Sequence, residues 1–180
     1  PAYTLDTLNG NEAVSITLLI AFAVGVGIGS LLCERMSGHR IELGLVPFGS
    51  IGLSVFAVDL YFAQTAPAAA AVASVGEFLG RPGSIRVLVD LAMLGEFAGF
   101  YSVPLYALIQ KRAKRAHLSR IIAANNIINT VFIVLASLMA IIVLNLGFSI
   151  PELFLILAAL NVAVAIYIYS LLPEFMMRFL

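Results

Sequence analysis

The chain has 180 residues, 62% of them apolar and 11% charged, with a formal net charge of zero and a mean hydropathy of +1.06. A soluble domain averages roughly 45–50% apolar and about 25% charged, and a globule of this length has too little interior to hide so much apolar surface. Lipid is therefore the solvent for most side chains, which excludes a soluble enzyme domain, a disordered chain and a secreted disulfide scaffold; the neutral balance gives no basic stripe for nucleic acid. The single cysteine, Cys33, allows neither an internal disulfide nor a zinc ligand set, and no cofactor motif is present.

A spanning helix needs about 20 mostly apolar residues. Five runs qualify, at 13–33, 43–63, 87–110, 121–144 and 153–172. They are continuous rather than alternating, which argues against a barrel. Backbone groups in lipid must then be satisfied within helices, so the expected fold is an all-α membrane protein of five transmembrane helices.

The first span carries Gly25, Gly27 and Gly29 in GVGIGS. A dinucleotide fingerprint would need a preceding strand, and here the glycines lie inside a lipid-length helix. Gly25 and Gly29 share one face, as do Gly95 and Gly99 in the third span, and small residues at that spacing let helices approach closely. Such contacts serve packing, or sliding between helices that rock during transport.

Two carboxylates near span ends, Asp59 and Asp90, read as boundary residues that reach the outer interface. Between the second and third spans, the 64–86 loop has an alanine run read as a spacer or a short interfacial helix before Gly80-Arg81-Pro82-Gly83. Glu96 lies deeper in the third span. It is nine residues past Val87, roughly 13 Å along the axis, near the midplane. An acid there needs a reason: a proton-titrating site, a partner for a substrate ammonium, or a neutral glutamate bonded to another helix.

After the third span comes KRAKRAHLSR, which holds five cations around His117. It sets topology and can attract anionic lipid headgroups. The fourth span opens with Asn125, Asn126 and Asn129, amides spaced to share a helix face. They suit interhelical hydrogen bonds or the polar lining of a substrate route. The turn before the fifth span has Ser149, Pro151 and Glu152, a helix-start pattern, and predicts a tight antiparallel pair of fourth and fifth spans. No serine, histidine and acid group together, so no catalytic residue is assigned.

Eight of the ten Lys and Arg fall in the loop after the first span, the loop after the third and the C-terminal tail. The positive-inside rule then places the N-terminus outside and the C-terminus in the cytoplasm. The odd span count and the opening Pro1 suggest that one helix of a larger bundle is missing.

Two stretches carry a resemblance. Residues 29–42, GSLLCERMSGHRIE, resemble the signature loop of the major facilitator superfamily, with Gly29, Glu34, Arg35, Gly38, His39 and Arg40 in the motif positions. Glu34 stands for the usual aspartate, and Ser37 is one residue extra. Residues 99–110, GFYSVPLYALIQ, followed by a basic loop and Ala123-Ala124-Asn125-Asn126, are similar to the tenth and eleventh helices of bacterial lysophospholipid transporters. These also occur fused ahead of an acyltransferase and an acyl-carrier-protein ligase, and the tail at 172–180 resembles that junction, with 173–180 as the start of a cytoplasmic linker.

The resemblance implies helices eight to twelve of twelve, an incomplete six-helix half lacking helix seven and the N-terminal half that would face it. It implies a bacterial inner-membrane location. It also implies transport of lysophospholipid, of the 2-acyl-glycerophosphoethanolamine type, to the cytoplasmic leaflet for reacylation. Glu96, Tyr106, Asn125, Asn126 and Asn129 are then the candidate substrate-binding residues, although Glu96 departs from the small or apolar residue expected there. Gly29, Glu34, Arg35, Gly38 and Arg40 are the candidate gating loop. A membrane anchor for a fused acyltransferase and efflux of an unrelated small solute are the alternatives.

Overall fold

The computed structural model describes residues 3–38, 42–63, 74–172 and 177. Every regular element among them is helical. A π-helical turn, Tyr3–Thr7, precedes α1 (Glu12–Met36), α2 (Leu45–Phe62), a short α3 (Val75–Leu79), α4 (Ser84–Arg112), a 3-10 turn (Arg115–His117), α5 (Leu118–Asn145) and α6 (Ile150–Leu171). Five of these helices are long and apolar enough to cross a membrane, and the chain is an all-α, multi-pass membrane protein. The observed helices exceed the predicted spans at several ends because caps and polar flanks continue the helix beyond the apolar run. Asn11 caps α1 by accepting from the Val14 N–H. At α6 the start predicted at Ser149 forms as a reciprocal capping box with Glu152, and Pro151 occupies the first turn.

The centre of the fold is α4, packed on one side by α1 and on another by α2. Lipid tails are as apolar as leucine, so helices here associate through close van der Waals contact rather than by escaping water. The α1–α4 crossing is made by the glycines. A methyl group placed on Gly25 would enter the main-chain carbonyl of Ala92, one on Gly29 that of Glu96, and one on Gly95 that of Phe22. Gly27 points to open space. On α2, Gly52 lies under the Phe97 ring, which also meets Phe48 at 5.2 Å and stacks on Phe56 at 5.6 Å between ring centres.

At the end of the bundle where the chain starts, Leu8, Val14, Leu18, Leu60, Ala63, Phe78 and Val87 form the largest buried cluster. Phe78, from α3, closes it. Tyr3 meets Phe154 edge-on, tying the first turn to α6. α6 is held to α2 by Asn161, whose Nδ2 donates to the Ser50 carbonyl and to Ser54 Oγ, each at 2.8 Å.

Two expectations change. The tight pair of α5 and α6 does not form: α5 has no buried residue and makes few contacts with α6. A capping box fixes where α6 begins but not how two apolar helices lie against each other. Asp90 is not a boundary residue; it is 2% exposed, turned towards α2. As for the 64–86 loop, α3 forms just before Gly80, while the alanine run lies outside the described residues.

Candidate functional site

Three helices converge on a cleft of about 550 Å³ at the end of the bundle that carries the basic segment. α4 supplies Tyr101, Ser102, Leu105, Tyr106, Leu108 and Ile109; α5 adds Asn125 and Asn129; Ile168 and Leu172 close it from the α6 side. Its size suits a small molecule or part of a lipid.

Local sequence explains the opening. Pro104 lies inside α4 and is buried. It has no N–H to donate to the Phe100 carbonyl, so the helix loses one rung where the cleft begins. Ser102 Oγ donates back to the Ala98 carbonyl at 2.7 Å and satisfies itself within α4. α5 leaves α4 through the short segment 113–117 and is bridged back to it by one polar contact: Asn129 Nδ2 donates to Tyr106 Oη at 2.8 Å. Asn129 and Tyr106 are both exposed and Asn125 is half-buried, so their remaining donors and acceptors are open to a ligand. The cleft is thus two-sided in character. Asn125, Asn129 and Tyr106 form a polar rim, and Leu105, Leu108, Ile109, Ile168 and Leu172 form an apolar wall.

Of the substrate-binding candidates, the structure brings Tyr106, Asn125 and Asn129 together. Asn126 does not line the cleft; it is exposed, and its carbonyl accepts from Thr130 Oγ1. Glu96 is also elsewhere. Nine residues separate it from Leu105, about two and a half turns at 3.6 residues per turn, so the two occupy opposite sides of α4. Its main chain sits against Gly29 of α1.

The candidate gating residues divide too. Gly29 is buried within α1 as a packing contact with α4. Glu34 and Arg35 lie on the last turns of α1, which runs on to Met36, and Arg35 suits the negative end of the helix dipole. Gly38 follows in a left-handed conformation, φ +54°, with its N–H donating to the Arg35 carbonyl. Arg40 and His39 lie outside the described residues.

Sequence reasoning did not single out Ser102, Leu105 or the α6 residues of the cleft. Periodicity along α4 could have found Ser102 and Leu105, since they share a face with Tyr106 and Ile109. Comparison of the chain with family models, curated proteins and solved structures finds no match.

Proposed function

We propose that this chain forms part of a facilitator-type transporter that moves lysophospholipid across a bacterial inner membrane to the cytoplasmic leaflet. The carrying observation is the two-sided cleft. A lysophospholipid has one acyl chain and a zwitterionic or anionic headgroup. The apolar wall accepts the chain, and the amides and phenol of the rim accept the headgroup oxygens and ammonium. Lys111 and Arg112 form the last turn of the helix that builds the cleft, and Lys114 and Arg115 follow it, where they attract the lipid phosphate. In this reading that end faces the cytoplasm, in agreement with the Lys and Arg count, and the N-terminus is periplasmic. The exposed apolar sides of α5 meet lipid or the further helices of a complete facilitator.

Uptake of labelled lysophospholipid into spheroplasts tests the proposal. Deleting this region from the transporter abolishes uptake if the reading is right. Undiminished uptake after deletion excludes transport through these helices, and loss of reacylation without loss of uptake marks a membrane anchor instead.

The loop after α1 gives a second test. Alanine at Gly38 must adopt a left-handed conformation at a cost of about 1 kcal/mol. Lysine at Arg35 keeps the charge and loses the planar fork. If this turn acts as a latch between access states, Gly38→Ala and Arg35→Lys both slow uptake severalfold without changing the amount of protein in the membrane. Wild-type rates for both would leave the loop with topology as its only role.

A further inference from the structure

Asp90 is the only Asp, Glu, Lys or Arg that is buried among the described residues, at 2% exposure. One of its oxygens, Oδ2, is sealed from solvent and has no hydrogen-bond partner. Its carboxyl lies beside that of Asp59 on α2. Two carboxylates have only acceptors, so a hydrogen bond between them forms only when one of the two carries a proton.

The surroundings decide which. Arg86, one turn earlier on α4, donates to Asp59 through both Nε, at 3.1 Å, and Nη2. That two-pronged pairing holds Asp59 as the anion. Asp59 and Arg86 are both partly open, with side chains 35% and 48% exposed. Asp59 also lines a shallow groove of about 490 Å³ with Ser54, Val55, Phe56 and Val58. Asp90 sits behind it, where a charge would have neither water nor a cation of its own.

We propose that Asp59 and Asp90 form a proton-binding site between α2 and α4, in which Asp59 takes a proton from the groove and Asp90 stores it. In the loaded state the Asp90 hydroxyl donates to the Asp59 carboxylate and fastens α2 to α4. On unloading the proton returns through Asp59 to water; no electrons move. The empty pair places two anions side by side against one guanidinium, and their repulsion loosens the same helix contact. Proton occupancy and α2–α4 packing are thereby tied.

Among the described residues no other charged group intrudes. The π-helical turn contributes Tyr3, whose burial, with the Asp90 charge second, pushes its phenol up to about 12, so it stays neutral and does not compete. Asp6 of the same turn is exposed. From α1 the residues in the neighbouring buried cluster are Val14 and Leu18, and Glu12 is exposed. Glu77 of α3 is exposed, Glu152 of α6 is engaged with Ser149, and Arg81 donates to the Leu8 carbonyl. A metal ion is disfavoured because no group of three His, Cys, Asp or Glu converges among the described residues.

Infrared absorption of the protein in liposomes tests the site without reference to any lipid substrate. At neutral pH the wild type shows a protonated-carboxyl band, and Asp90→Asn, which keeps shape and size, loses it. Asp59→Asn keeps the band but shifts it, because an amide replaces the carboxylate acceptor. If Asp90→Asn does not reach the membrane, Asp90→Glu serves, and a displaced band supports the proposal. The proposal is overturned by a wild type without the band, by a band unchanged in Asp90→Asn or Asp90→Glu, or by loss of the band when sodium replaces potassium at fixed pH, which would make this a cation site. Lipid uptake can fail or succeed independently of each result.

Discussion

Leucine at Gly25 or at Gly29 is expected to stop the protein accumulating in the membrane, whereas leucine at Gly27 is expected to be silent. All three glycines lie within five residues of one apolar helix, so composition, hydropathy and helix propensity change equally. Only the α4 side differs. At Gly25 and Gly29 the first added carbon enters the main-chain carbonyls of Ala92 and Glu96. A main chain cannot step aside by changing rotamer, so α1 and α4 must part. Overpacking of a core costs about 1–3 kcal/mol when side chains can yield. Here they cannot, and the cost should exceed about 3 kcal/mol against a total stability of about 5–15 kcal/mol. Gly27 faces open space. Membrane abundance and thermal unfolding of the three variants check the expectation. Equal abundance for all three would mean that α1 and α4 do not cross as described.

The crossing was legible in the sequence because close approach demands small residues four apart, and the pairs Gly25/Gly29 and Gly95/Gly99 have that spacing on both partners. The five spans were legible because lipid-length apolar runs have few other uses. Asp90 was misread for a definite reason. Counting residues from the end of a span gives depth but not rotation about the helix axis, and depth alone suggested an acid within reach of the interface. In the fold the helix begins at Ser84 and turns Asp90 towards α2. Glu96 was the converse: its depth drew attention, and rotation carries it to the side of α4 away from the cleft. The three asparagines show the limit of face arguments. Their spacing allows all of them a common stripe, yet only Asn125 and Asn129 line the cleft, because the placement of α5 depends on contacts to α4 that no local pattern in α5 specifies. The cleft itself requires residues far apart in the chain, from Tyr101 to Leu172, and a sequence without internal landmarks for tertiary contact does not reveal such a set.

The largest functional effect should come from changing Asn125 and Asn129 to leucine together. Leucine has the same branching and number of side-chain heavy atoms as asparagine, suits a lipid-exposed helix, and replaces two amides by hydrocarbon. α5 has no buried residue, so the double change removes no core contact, and the amount of protein in the membrane should stay constant. What is lost is the polar rim. The bridge from Asn129 to Tyr106 disappears, Tyr106 keeps its hydroxyl without that partner, and a headgroup entering the cleft meets hydrocarbon on the α5 side. Leaving two headgroup hydrogen bonds unmade costs about 1–3 kcal/mol each when the group is desolvated. Even the lower end for the pair, about 2 kcal/mol in sum, lowers lysophospholipid uptake about thirtyfold. Tyr106→Phe removes one hydroxyl and keeps the ring, so its effect should be smaller, about threefold. Asn126→Leu makes the same chemical change one residue away, on a side chain that does not line the cleft, and uptake should remain at the wild-type rate. The ordering is the discriminating feature: a general effect of added apolarity would treat the Asn126 variant like a single change at Asn125 or Asn129, and transport at the wild-type rate by the double variant would place the lipid route elsewhere in the membrane.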